Sequence, residues 1–179
     1  MSRLLNKRNK AAVLNQRAEQ CWTEGKLPDA FKLFLAAAKA GFVPAYSTLA
    51  SFYDQGTGVR ANQGEALYWY MRAYREHDSW YTRGDSTSAN NIGCIWRDKG
   101  RPKTAIMWLK RAVKLGDGDA NLNIALIYLR SKHDRQKAVV YLRRTIDAKY
   151  ATDGSIEEAR DLLSEIRKTK RKTVRILKH

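Results

Sequence analysis

One short pattern occurs twice in the sequence, in the same frame and 75 residues apart. In each copy a glycine is followed at +5, +12, +16 and +20 by alanine, alanine, glycine and alanine. The two sets are Gly25, Ala30, Ala37, Gly41, Ala45 and Gly100, Ala105, Ala112, Gly116, Ala120. Small side chains let helices cross at roughly 8–10 Å, and repeated hairpins must stack to bury their apolar faces. The frame therefore predicts stacked helical hairpins.

Residues 45–73, AYSTLASFYDQGTGVRANQGEALYWYMRA, hold the longest motif. Gly56 suits the left-handed C-cap of one helix, and Asn62 suits the N-cap of the next. The pattern AxxxLAxxYxxGxGV, followed by asparagine and AxxWYxxA, resembles the Sel-one-like repeat, a subclass of the tetratricopeptide superfamily. The other hairpins resemble plain tetratricopeptide units, and the resemblance covers roughly residues 11–156.

Together the frame and the resemblance predict an all-α fold, a right-handed α-solenoid of about four antiparallel helical hairpins plus a C-terminal capping helix. Asp153 or Ser155 would cap the last helix, and Leu162, Leu163 and Ile166 would form its apolar face. We expect a basic N-terminal segment at 1–10, hairpins at about 11–44, 45–88, 89–119 and 120–156, a capping helix at 157–169 and a basic tail at 170–179.

The resemblance implies that the first helices of successive hairpins line a concave groove for a protein partner. Amide and hydroxyl groups there would bind an extended peptide, and Arg97 would pair with a carboxylate. By matching positions, the residues expected to face the groove are Asn15, Glu19, Ser47, Ser51, Gln55, Asn90 and Arg97.

An insertion of eight residues after Ala73 brings Trp80 and Tyr81 into a polar loop. Insertions in repeat arrays project from one face and often contact partners. The alternative is that Trp80 packs back on the second hairpin.

The composition is strongly basic, with 34 Lys and Arg against 18 Asp and Glu, a net charge of +16. An acidic protein partner, a nucleic acid and an ordinary solubilising surface all fit this charge. The tail has no interleaved aromatic residue, and no nucleic-acid reader motif is present. The cations of the tail are Arg167, Lys168, Lys170, Arg171, Lys172, Arg175 and Lys178.

The sequence offers no catalytic motif, since GxSxG, HExxH, CxxC and a Walker-type glycine loop are all missing. His77, His133 and His179 have no neighbours at metal-ligand spacing. We therefore expect no enzyme activity, no catalytic residues, no metal and no cofactor. Two lone cysteines, Cys21 and Cys94, are typical of the reducing cytoplasm. No apolar run is long enough for a membrane span, and no signal peptide is recognised.

These observations predict a non-enzymatic, cytoplasmic scaffold or adaptor that engages an acidic or extended protein partner through the concave groove and basic surface. Signalling, assembly and toxin-neutralising roles stay open within this class, as does the oligomeric state. The alternative is a basic nucleic-acid-associated protein that uses its Lys/Arg-rich surface and tail.

Overall fold

The computed structural model describes residues 2–76, 84–130 and 134–176, and in these ranges the chain forms nine α-helices. Each helix packs against the next along the chain, which gives four helical hairpins and a final helix. The predicted all-α solenoid with a capping helix is confirmed. The helices are α1 (Ser2–Thr23), α2 (Leu27–Lys39), α3 (Ala45–Gln55), α4 (Gln63–Arg75), α5 (Gly84–Asp98), α6 (Pro102–Lys114), α7 (Asp119–Leu129), α8 (Arg135–Ile146) and α9 (Asp153–Ile176).

The glycines of the repeated frame lie at the helix connections. Gly25 and Gly100, each between the two helices of a hairpin, have φ of 75° and 69°. Gly41 and Gly116, which follow the second helices, have φ of 89° and 96°. A side chain at such positive φ would be strained, whereas glycine adopts it readily. The frame therefore encodes the same two turns in the first and third hairpins.

The alanines of the frame lie where helices touch, and all six are 0% exposed. Gly93 in α5 serves the same purpose, because a Cβ there would lie 2.6 Å from the Cγ of Leu109 in α6. Aromatic rings fill the space between neighbouring hairpins through edge-to-face contacts. One example joins Tyr74 to Trp108, with ring centroids 5.1 Å apart. Small residues thus set the helix spacing, and aromatic residues close the remaining gaps.

The connection between α3 and α4 has the caps that the sequence predicts. Gly56 ends α3 in the left-handed conformation, with φ of 73°. The side-chain oxygen of Asn62 accepts hydrogen bonds from the backbone N–H groups of Gly64 at 3.0 Å and Glu65 at 3.2 Å. Both predicted caps are confirmed.

The last helix is longer than predicted. It runs over Asp153–Ile176 rather than 157–169, so residues 170–176 of the predicted basic tail belong to it. Lys, Arg and Ile are good or acceptable helix formers, and no glycine or proline interrupts them. The predicted N-cap is also corrected, because Thr152 is the residue whose hydroxyl accepts the backbone N–H of Ser155, at 3.3 Å.

The predicted N-terminal segment is not a separate element. Helix α1 begins at Ser2, so residues 2–10 form its first turns. The third hairpin likewise begins at Gly84 instead of 89, since α5 extends to that residue.

Helix α9 covers the end of the stack. Ala159 and Leu163 join a second apolar cluster with Leu122 and Ala125 of α7 and Leu142 of α8. Leu162 and Ile166 pack against the same cluster and are half-buried, which confirms the predicted apolar face. Helix α5 also contacts α7, and α7 contacts α9. The first helices of the last two hairpins, α5 and α7, thus lie beside each other, and α7 lies beside α9. We call the layer of first helices the inner layer.

Candidate functional site

The residues predicted for the groove lie on the first helices α1, α3 and α5. Ser47, Ser51, Asn90 and Arg97 are half-buried, whereas Gln55 at the end of α3 is exposed. On α1, the amide of Asn15 donates to the carboxylate of Glu19 at 2.8 Å, one turn away on the same helix. The seven residues thus lie on three first helices, and hydrogen bonds join only some of them.

A hydrogen-bonded network crosses from α5 to α7. The side-chain amide of Asn123 donates to the oxygen of Asn90 at 3.0 Å, and its own oxygen accepts from Nη1 of Arg97 at 2.9 Å. Asn90 also hydrogen-bonds with Asp117. Asn123 therefore links two predicted groove residues that lie on the neighbouring helix.

Asn123 is missed by the comparison of repeats. The α7 residues that match Ser47 and Ser51 are Leu122 and Leu126, so matching positions predict no polar group there. The signal that could have found it is local, since α7 reads DANLNIALIYL and Asn123 is an amide inside an apolar run.

A second set of polar contacts joins α3, α4 and α5. The hydroxyl of Tyr70 shares hydrogen bonds with Ser51 and Asn91, and the amide of Gln55 donates to Ser51 Oγ at 3.1 Å. Tyr70 is almost fully buried, and this burial, with a smaller contribution from Asp54, raises its pKa to about 12. The phenol therefore stays neutral at physiological pH and can both donate and accept hydrogen bonds.

Arg97 is already paired within the chain. Its Nε donates to Oδ1 of Asp98 at 2.9 Å, and this hydrogen bond raises the pKa of the guanidinium. Asp54 interacts with Asp98, since burial and then the charge of Asp98 raise the pKa of the Asp54 carboxyl. A partner carboxylate that pairs with Arg97, as predicted, would have to share the guanidinium with Asp98 or displace Asp98 from it.

A cavity of about 250 Å³ opens where the start of α5 meets the turns that precede α7 and α9. Its two carboxylates are engaged in local structure. Asp117 accepts the backbone N–H of Ala120 at 3.0 Å, and burial raises its pKa. Asp119 accepts both the backbone N–H and the hydroxyl of Thr152, at 2.8 Å and 3.1 Å. The lining consists of Ser86, Thr87, Leu115, Gly116, Asp117, Asp119 and Tyr150.

The other predicted residues belong to the insertion loop, the histidines and the basic tail. Trp80, Tyr81 and Lys178, and the histidines His77, His133 and His179, lie outside the described residues. Of the basic tail, Arg167 and Lys168 are exposed on α9. Lys170, Arg171, Lys172 and Arg175 belong to the last turns of the same helix.

Both thiols are half-buried and free, and burial raises the pKa of Cys94. Within the described part of the chain, no three His, Cys, Asp or Glu side chains gather around a common point. None of the helices described has the length and hydropathy of a membrane span.

Known structures share this architecture. A Sel1 repeat protein from Oxalobacter formigenes is 27% identical, with a TM-score of 0.60 over 78% of this chain and 58% of its own. A protective antigen present in uropathogenic Escherichia coli strains, displaying an SLR fold, is 26% identical, with a TM-score of 0.53 over 66% of this chain and 25% of its own. The chain thus spans less than two thirds of the length of either protein. MamA, at 20% identity, has the same fold, with a TM-score of 0.59 over 74% of each chain.

The sequence comparison agrees with the structural one. No curated protein sequence matches the chain. The Sel1 repeat family matches residues 27–42, 43–78, 97–117 and 118–150, which together make up more than half of the sequence. The second and fourth matches coincide with the hairpins α3–α4 and α7–α8. The chain therefore belongs to the Sel1 repeat family.

Proposed function

We propose that this protein is a non-enzymatic scaffold that binds an extended protein segment along its inner layer of helices. Sel1 repeats in general mediate protein–protein interaction. The observation that carries the proposal is the network of Asn90, Asn123 and Arg97, because it places amide and guanidinium groups on two successive first helices. Ser51 and Gln55 continue this polar surface onto α3.

The spacing of these groups suits an extended backbone. Neighbouring helices in such a stack lie about 10 Å apart. An extended chain advances about 3.3 Å per residue, so about every third residue of a bound segment would meet the next helix. Amide side chains can donate and accept at once, which is what successive backbone N–H and C=O groups require.

We further propose that the partner is acidic overall and that the complex forms in the cytoplasm. A net charge of +16 steers acidic proteins toward this one over distance. The carboxylate of Asp98 already pairs with Arg97, so in the groove itself we expect neutral hydrogen bonds to dominate over ion pairs. The free thiols Cys21 and Cys94 suit a reducing compartment.

The test is affinity capture from nuclease-treated lysate of the source cells, with quantitative mass spectrometry. The bait is the wild-type chain or the double variant Asn90→Ala/Asn123→Ala. We expect one or a few proteins to be captured by the wild type and to fall by about tenfold or more with the variant, since two hydrogen-bonding groups are removed.

The control variant is Gln63→Ala/Gln136→Ala, which removes two exposed amides from the second helices α4 and α8. It should capture the same proteins as the wild type. Circular dichroism melting checks that Asn90→Ala/Asn123→Ala is folded, and the single variant Gln55→Ala tests the groove at an exposed position. Capture that is equal with all baits would reject the groove as the binding site.

A further inference from the structure

The outer helices carry a repeated pair of an arginine stacked on an aromatic ring. Arg72, Arg111 and Arg144 each lie six residues after the alanine that opens the inner face of α4, α6 or α8. Each guanidinium lies over the ring three residues earlier. The distances are 5.3 Å to Trp69, 4.5 Å to Trp108 and 5.1 Å to Tyr141. The three pairs therefore occupy the same register in successive hairpins.

On α4 the arginine is neutralised. Nε of Arg72 donates to Glu76 Oε1 at 2.7 Å, and Nη2 donates to the hydroxyl of Tyr46 at 2.9 Å. The same arginine also lies 4.5 Å from the ring centroid of Tyr46. These contacts fix the half-buried side chain of Arg72 in place, so the first of the three pairs is structural.

On α6 and α8 the arginines keep their charge. Neither helix contains an acidic residue, as their sequences PKTAIMWLKRAVK and RQKAVVYLRRTI show. Among the described residues, no ion pair involves Arg111 or Arg144 or the exposed cations around them. We call these cations the basic face: Lys103, Lys110, Arg111, Lys114, Arg143 and Arg144.

The charge is segregated between the two layers. The inner helix α7 contains Asp119 and no cation, and α5 ends with the Arg97–Asp98 pair. Near the basic face, Asp147 follows the last residue of α8 and marks one edge. The inner helices α5 and α7 are therefore neutral to acidic, while the outer helices α6 and α8 are positive.

We propose that the basic face binds the phosphate backbone of a nucleic acid without reading its bases. A cation–π contact holds a guanidinium over a ring, and the guanidinium keeps the N–H donors that suit bidentate contact with phosphate. Trp108 is only 8% exposed and lies under Arg111, so its ring offers no platform for a base. Phosphate contact without stacking gives sequence-independent binding.

The size of the face fits a polyanion better than a single carboxylate. Lys103 and Lys114 lie at the two ends of α6, and eleven residues of helix span about 16 Å. On α8, the second helix of the next hairpin, Arg143 and Arg144 occupy the positions that Lys110 and Arg111 occupy on α6. Such an area covers several phosphates of a duplex at once. This inference does not depend on the proposed groove.

The experiment measures fluorescence polarisation of a labelled DNA or RNA duplex of mixed sequence, about 20 base pairs long, with the full chain at several NaCl concentrations above about 50 mM. If all six cations contact phosphate, the plot of log affinity against log salt should have a slope of about −5. The double variant Lys110→Glu/Lys114→Glu should weaken binding by about tenfold or more at low salt and make the slope shallower by about 2.

The matched control is Lys32→Glu/Lys39→Glu on α2, which changes the net charge by the same amount at exposed positions. Lys39 matches Lys114, since each lies nine residues after the alanine that opens the inner face of its helix. The control should lower affinity by less than about threefold, because its charges lie in another hairpin. Equal losses in the two variants would mean diffuse attraction and would overturn the proposal.

Two competitors separate the other polyanions. The first competitor is poly-L-glutamate, added at a charge concentration equal to that of the duplex. If it displaces the duplex, the face does not prefer a phosphate backbone, and an acidic protein becomes the better partner. The second competitor is vesicles that contain phosphatidylserine. If the protein binds them more tightly than the duplex, the face binds a membrane surface, and the proposal of nucleic-acid binding is overturned. A circular dichroism melt confirms that each variant is folded.

Discussion

Two glycines allow the connections of successive hairpins to touch at the backbone. A Cβ on Gly118, before α7, would lie 2.4 Å from the backbone nitrogen of Ala151, before α9. A Cβ on Gly58, between α3 and α4, would lie 2.3 Å from the carbonyl oxygen of Leu27. Backbone atoms cannot rotate aside as a flexible side chain can. Close backbone contacts at these two glycines therefore help to hold successive hairpins in register.

At residue scale this gives a prediction for Gly118→Ala. The φ of Gly118 is −70°, which alanine tolerates, so the only cost is the clash with Ala151. We expect the free energy of unfolding to fall by roughly 1–3 kcal/mol. Urea unfolding followed by circular dichroism measures it.

The control is Gly154→Ala in the first turn of α9, where a Cβ would have no atom within 4 Å. Alanine is a better helix former than glycine, so this variant should be unchanged or more stable by up to about 1 kcal/mol. If Gly118→Ala were as stable as Gly154→Ala, the close approach of the two connections would not exist in solution.

At the scale of the helices, α9 closes an open end of the stack. Its residues Ala159 and Leu163 are buried against Leu122 and Leu142, while the opposite side of the helix is charged. Without α9, the apolar side of the α7–α8 hairpin would face water. A helix with one apolar and one polar side shields the apolar face of the hairpin that it packs against.

Truncation tests this role of α9. A chain that ends after Thr152 loses the whole helix, and we expect its free energy of unfolding to fall by about 3 kcal/mol or more. A chain that ends after Thr169 keeps the packed residues up to Ile166 and should stay within about 0.5 kcal/mol of the full chain. Thermal melts of the two truncated chains decide between these outcomes. Similar losses in both would place the stabilising contacts in the last turns of α9 instead.

The hairpins could be predicted because their contacts demand particular residue types. Two helices that cross closely need small residues at the crossing, such as the buried Ala105 and Ala112. The repeated frame is therefore recognisable in the sequence itself. The face of α9 follows equally from the spacing of Leu162, Leu163 and Ile166. The predicted caps, Asp153 or Ser155, were wrong by one and three residues, because Thr152, Asp153 and Ser155 all have side chains that can cap.

The candidate sites were harder to predict, since they depend on pairs of helices. Asn123 contacts Asn90 from 33 residues away, and nothing local reveals which amides will meet. The basic face was hidden for another reason. The cations of α6 and α8 are ordinary in number within each segment, and their common pattern is recognised only when Arg111 and Arg144 are placed in the register of their helices.

For the whole molecule, repulsion between like charges is a consequence of the same arrangement. The net charge is +16, and the cations of α6, α8 and the end of α9 have few acidic neighbours in the sequence. The ion pairs of the described residues join groups at most four residues apart, and some are largely exposed; Lys32–Asp29 leaves 74% and 62% of its two side chains accessible. Exposed pairs contribute little, about 0–1 kcal/mol each. Salt therefore removes more repulsion than attraction.

We predict that the melting temperature rises with NaCl, by about 2–5 °C between roughly 20 mM and 500 mM, as the Debye length shortens from about 20 Å to a few ångströms. Circular dichroism melts of the wild type and of Lys110→Glu/Lys114→Glu measure this. The variant has four fewer net positive charges and two new carboxylates beside the remaining cations, so its rise should be smaller than that of the wild type. A melting temperature that falls with salt would show that ion pairs, rather than repulsion, dominate the electrostatics of the stack. An equal rise in both chains would show that the repulsion lies outside the basic face, and the surface would then have no concentrated field with which to attract a polyanion.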